Sequence, residues 1–291
     1  MTNQPTPSAR FLEYALQPLL VIGVLAVWMT NREIPAVYPL TILGVQLLLG
    51  TLEYRLPART DWVQPAREKT ILVVMVLVLS TATLFVAAEY DEQLREPLAV
   101  LRASLHLNIW PHTWPLIIQV FMVFFASEFI WYWFHRAEHR WRLVWRLSGH
   151  GAHHSFKRLG AINFGANHPL EIFLLVLPSA LVELLFGVGI AAAGAAILTT
   201  TQASIAHTNL KLNSNWVGWL FTTNAYHIRH HSAVIEESNT NYGCSTIVWD
   251  RLFGTFEEGA IVEAGIGPTE PTTWAKFLMP VKEPFDSKIA P

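Results

Sequence analysis

Residues 70–88 read TILVVMVLVLSTATLFVAA, with no charge, no proline and no glycine over 19 positions. A helix of that length rises about 28 Å, the thickness of the hydrocarbon core of a bilayer. Similar runs lie at 11–29 (FLEYALQPLLVIGVLAVWM), 36–51 (AVYPLTILGVQLLLGT) and 114–134 (WPLIIQVFMVFFASEFIWYWF). Residues 170–206 hold enough apolar chain for two more, broken near Gly187 and Gly189. In hydrocarbon, backbone polar groups must bond within the segment, so isolated runs of this kind are helices. The first run carries Glu13 and no cleavage-site pattern, which makes it a span rather than a secretory signal. The expected fold is all-α: a polytopic integral membrane protein with four to six membrane helices and a cytoplasmic histidine-rich helical cap.

Composition agrees. Of 291 residues, 52% are hydrophobic and 14% charged, and the mean hydropathy is +0.32. Soluble domains are about a quarter charged. A net charge of -2 without a basic tail argues against a nucleic-acid partner. Cys244 is the single cysteine, which rules out an internal disulfide framework and a thiolate metal cluster.

With six spans and a cytoplasmic N-terminus, segment 52–69 faces the cytoplasm with Arg55, Arg59, Arg67 and Lys69. Segment 135–168 faces it with Arg136, Arg140, Arg142, Arg146, Lys157 and Arg158, while the far side receives Arg32, Arg95 and Arg102. This satisfies the positive-inside rule and predicts a multi-pass protein, in the cytoplasmic membrane if bacterial. Trp110, Trp114, Trp131, Trp133, Trp141 and Trp145 crowd the ends of the fourth run and read as an interfacial belt. The Gly/Ala-rich 187–197 reads as a closely packed helix.

All 12 histidines fall between 106 and 231. HRAEH (135–139) places His135 and His139 four apart, on one helix face. HGAHHS (150–155) and HIRHHS (227–232) place His150, His153, His154 and His227, His230, His231 at i, i+3 and i+4, again on one face. His207 ends the last run. The first group follows span four and the last follows span six, so all lie on one side of the membrane. Neutral imidazoles without thiolates suit iron, zinc or copper better than calcium or magnesium. Eight or nine are too many for one metal, and a structural zinc site leaves half of them unused.

HRAEH, HGAHHS and HIRHHS, with EFIWYWFHR before them and NTNYGCSTIVWDRLFGTF (239–256) after, resemble the three histidine boxes of the fatty acid hydroxylase and sterol desaturase superfamily. The likeness covers roughly residues 128–256. It implies a membrane-bound non-haem di-iron oxygenase that uses O₂ and two electrons to hydroxylate or desaturate a lipid-like substrate. It also implies two iron ions (Fe²⁺), held by His135, His139, His150, His153, His154, His227, His230 and His231, with His207 as the additional histidine before the last box. Some members carry one more histidine four residues earlier, where this chain has Ala203. Glu128, two turns before His135 and deep in a span, is expected to hydrogen-bond a ligand ring, and Asp250 is a second candidate for that role. Asp250 equally suits holding the C-terminal segment against the helices. His168, in ANHPLE, stays open between the metal, the substrate path and a helix start, and His106 and His112 fall on the far side.

These readings divide the chain into membrane helices (1–113), a catalytic region (114–256) and a tail (257–291). The 35 residues after Phe256 are too few for a b-type cytochrome or ferredoxin domain, so a separate electron-donor protein is expected as a partner beside the membrane lipids. Two other functions compete. HRAEH also satisfies H-x-x-E-H, a zinc metalloprotease signature with Glu138 as base, and a metal transporter would use the histidines as a relay. Peptide hydrolysis dies in Glu138→Gln, whereas an oxygenase is expected to survive that change and to be lost in His230→Ala; assaying both variants separates the two.

Overall fold

The structure, a computed structural model, describes residues 7–267 and 269–278. Its α-helices are α1 (Pro7–Asn31), α2 (Val37–Arg55), α3 (Ala66–Ser104), α4 (Leu116–Arg140), α5 (Arg142–Ser148), α6 (Gly151–His154), α7 (Glu171–Phe186) and α8 (Ala191–Ala206). Short helices α9 (Asn224–His230), α10 (Ile235–Ser238), α11 (Val248–Phe253) and α12 (Thr273–Leu278) follow. Among the described residues the only β-pairing is two isolated bridges. The fold is all-α, as expected.

Four helices, α1 to α4, are long and apolar enough to cross a bilayer. Their outward faces are greasy: Leu40, Leu47, Leu77 and Phe85 are each more than half exposed. Such faces are costly in water and at home in lipid. α3 runs on for 39 residues, past the apolar 70–88 into EYDEQLRE, so the apolar run underestimates the helix. α7 and α8 have 16 residues each, below the roughly 20 that a spanning helix needs. The two short helices form a hairpin around Gly187 that leaves the histidine end of the bundle and returns to it. A hairpin restores the side it left, so the one-face placement of the histidines does not require six full spans.

Two apolar clusters hold the frame. In the first, Trp28 of α1 packs with Val120, Val123 and Phe124 of α4 and Ile197 and Leu198 of α8, all fully buried. Gly194 makes this closeness possible: a Cβ there would stand 2.5 Å from Val120 and 2.6 Å from Trp28. The expected tight packing of 187–197 is realised at this point. In the second, Leu72, Met75 and Val76 of α3 bind Phe156, Leu159, Ile172 and Phe277. It straps the segment after the second histidine box, and α12, onto the bundle. The tail expected over 257–291 is therefore docked as far as Leu278, and its remainder lies outside the described residues.

Polar contacts join the loops at the histidine end. Glu53, at the end of α2, accepts from Ala161 N at 2.7 Å and Asn209 N at 2.9 Å. Asn213 N donates to Glu13 O of α1 at 2.8 Å, and Gln64 donates to Arg158 O at 3.1 Å. The starts of α1, α3 and α7 and the ends of α2, α4 and α8 thus meet on one side, and the histidines sit among them.

Replacing Gly194 by leucine forces α1, α4 and α8 apart. The expected loss is about 1–3 kcal/mol, read as a lower Tm of the detergent-solubilised protein, and an unchanged Tm refutes the close-packing account.

Candidate metal centre

Nine histidines converge into two buried groups. His135, His139, His150, His154 and His230 form one, and His153, His207, His227 and His231 the other, with ligand atoms within 4.8 Å of one another in each. In the larger group, Nε2 of His135 lies 3.0 Å from that of His150 and 3.1 Å from that of His230, and Nε2 of His139 lies 3.1 Å from His150 and 3.2 Å from His154. In the smaller, Nε2 of His207 stands 3.1 Å from His153 and 3.0 Å from His227, and His231 lies 3.2 Å from His227. The His154 and His231 rings stack at 4.4 Å, so the groups share a wall.

The helical spacing distributes the rings between two foci. Both histidines of HRAEH, one turn apart on α4, serve the larger group. In HGAHH the outer pair, His150 and His154, goes to the larger group and His153 to the smaller. HIRHH reverses this: His227 and His231 serve the smaller group and His230 the larger. Positions i and i+4 point to one focus while i+3 turns about 60° away from i, towards the other. One face per box was therefore too coarse an expectation; each triplet bridges two neighbouring positions.

Outer contacts fix where the protons sit. His135 Nδ1 donates to Tyr242 O at 2.5 Å and His230 Nδ1 to Thr240 O at 2.8 Å. Carbonyl oxygens only accept, so both rings turn a bare Nε2 lone pair inward, and these face each other at 3.1 Å. Lone pairs so placed repel unless a cation lies between them. Neighbouring nitrogens in a six-coordinate sphere with bonds of about 2.1 Å stand about 3.0 Å apart, close to the spacing here. Burial holds His150, His153, His154, His227, His230 and His231 well below the usual histidine pKa, and brings His207 to about 4. Neutral rings are the metal-binding form. The residues fit two transition-metal ions.

Two buried acids stand behind His150. Its Nδ1 donates to Glu171 Oε1 at 2.6 Å, and Glu138 Oε2 is 3.6 Å away. Both Glu138 oxygens lack a well-formed hydrogen bond among the described residues. Glu171 was missed from sequence; the signal available was an acid just after His168-Pro169, in the first turn of α7. Glu138 lies on the outer, Nδ1 side of His150, away from the converging nitrogens, which disfavours it as a protease base.

Glu128 does not reach a ligand ring. Its Oε1 accepts from Thr199 at 3.2 Å, and Oε2 has no partner among the described residues. Seven residues separate it from His135, about 10 Å along the helix, beyond a carboxylate's reach. Asp250 also touches no imidazole. It accepts from Tyr242 N and Gly243 N at 2.7 Å each and from Thr255 Oγ1 at 2.7 Å, so it holds the loop whose Tyr242 carbonyl orients His135. A Cβ on Gly243 would meet Thr246 O at 2.0 Å, so that turn closes only on glycine. His168 belongs to neither group and accepts from Leu170 N at 3.2 Å, a helix-start contact. The tryptophan belt is split. Trp114, Trp133 and Trp141 are exposed, but Trp131 is buried and stacks on His135 at 5.2 Å, while Trp145, also buried, lies 5.4 Å from the His139 ring and 5.3 Å from that of His150.

The region carrying this centre matches the family model for fatty acid hydroxylase over residues 120–255. Residues 120–255, just under half of the chain, are thus similar to this family. The chain is 32% identical over 194 residues to the ornithine lipid hydroxylase OlsE of Rhizobium tropici, which covers 64% of this chain and 56% of that one. It is 27% identical over 151 residues to the alkylglycerol monooxygenase of Xenopus tropicalis, 50% of this chain and 31% of that one. It is 28% identical over 171 residues to the very-long-chain aldehyde decarbonylase GL1-7 of Oryza sativa subsp. japonica, 54% of this chain and 26% of that one. The match thus spans about half, or less, of these relatives' own lengths. No solved structure matches. All nine converging rings, from His135 to His231, fall within the matched residues 120–255.

Glu171→Ala is expected to weaken metal binding by the five-histidine group about 10–100-fold, with Glu171→Gln closer to wild type because it keeps an acceptor. Chelator competition on the purified protein measures this, and equal affinities in all three proteins contradict it.

Proposed function

We propose that this protein is a membrane-embedded non-haem di-iron oxygenase that hydroxylates a lipid. The observation that carries the reading is the inward convergence of nine neutral imidazoles in two adjoining groups, within a fatty acid hydroxylase region on a bundle of bilayer-length helices. His135, His139, His150, His154 and His230 hold one iron, and His153, His207, His227 and His231 the other. Bound there, the pair supplies activation of O₂ towards an unactivated C–H bond.

The chain's own residues do the rest. Tyr242 O, Thr240 O and Glu171 orient ring nitrogens towards the metals, Asp250 fixes the loop that supplies the first of these, and Trp131 and Trp145 wall the site against water. The overall balance is C–H + O₂ + 2 e⁻ + 2 H⁺ → C–OH + H₂O. A separate donor protein, a ferredoxin or a b-type cytochrome with its reductase, brings the electrons. The substrate is a membrane lipid entering from the bilayer, in keeping with relatives named for ornithine lipid and alkylglycerol oxidation. Hydroxylation is favoured over desaturation because these two relatives are named hydroxylase and monooxygenase. The basic loops at the histidine end support a cytoplasmic position for it.

Anaerobic purification with metal analysis, combined with lipid profiling of cells with and without His230→Ala, tests the proposal. Two irons per chain and a lipid that gains one oxygen atom, both lost in the variant, are expected. One zinc per chain with peptide cleavage overturns it.

A further inference from the structure

The two histidine groups are built to different standards. The larger has five rings, and four of them are anchored from behind: His135 by Tyr242 O, His139 by Asn239 Oδ1 at 3.3 Å, His150 by Glu171 and His230 by Thr240 O. The smaller has four rings and one firm anchor, His207 Nδ1 to Ala203 O at 2.7 Å. His227 and His231 are fully buried, yet their Nδ1 atoms have no partner among the described residues. His153 finds only a loose approach to the Ala166 backbone. Both acids, Glu138 and Glu171, stand behind the larger group.

Each difference acts in the same direction. A ring without an outer acceptor has no preferred tautomer, so part of its population turns an N–H, which cannot ligate, towards the metal. A carboxylate behind a ring raises its basicity, and outer partners are each worth about 10–100-fold in metal affinity. Ala203, one turn before His207 on the same helix face, is only half-buried, as is Cys244, whose Sγ lies 3.9 Å from His227 Nε2.

We infer that the four-histidine group is the labile metal position, the last to fill and the first to empty, and that this chain passes through a stable one-metal state. This rests on the two-metal reading above. Full-length protein loaded anaerobically with Fe²⁺ and titrated with ferrozine tests it. Release in two steps is expected, with one iron per chain lost at least tenfold more readily than the other. His207→Ala should abolish the easy step and keep the hard one, and His139→Ala the reverse. Ala203→His, adding a ring on the His207 face, should move the easy step at least tenfold towards the hard one. Two irons released in one step overturn the inference while leaving the two-metal reading intact, as does loss of the easy step in His139→Ala. A loaded protein that never holds more than one metal overturns both.

Discussion

The structure turns on bare imidazole lone pairs brought together where no water reaches them. His135 and His230 cannot turn away, because a backbone carbonyl holds each from behind. Leaving buried polar groups unpaired costs about 1–3 kcal/mol each, a cost that a cation held between the rings would offset. The surrounding fold supplies that constraint. α4 delivers the first box, the α7–α8 hairpin delivers Glu171 and His207, and the second apolar cluster clamps the segment after the second box. Helix packing deep in the bundle, at Gly194, therefore sets ligand positions at its end.

The anchoring continues outward in layers. Asp250 secures the backbone at Tyr242 and Gly243, and Tyr242 in turn orients His135. Much of the polar chemistry of residues 239–256 is thus spent on keeping carbonyl oxygens in place. That explains a stretch dense in small polar residues beside an otherwise apolar protein.

The all-helical character and the first four long apolar helices could be read from run length, because bilayer thickness and helix rise leave little freedom, whereas the two further spans expected over 170–206 are shorter helices. The histidine groups stood out because i, i+3, i+4 spacing is local geometry. What escaped depended on the path of the chain between elements. Glu171 sits 21 residues from His150 and meets it only because α7 starts there. Glu128 looked promising by helix face, yet face says nothing about height along the axis. Trp131 and Trp145 fitted a headgroup belt by composition, and tertiary packing turned them inward instead. The division of each triplet between two foci was implicit in the spacing, but depended on knowing that both foci exist.

All nine rings are buried, and their nitrogens point into a closed interior formed by segments far apart in sequence. Any cation that reaches either group must pass between these segments while they are locally parted. Local opening of the histidine-bearing loops then sets the pace at which either group can exchange what it holds.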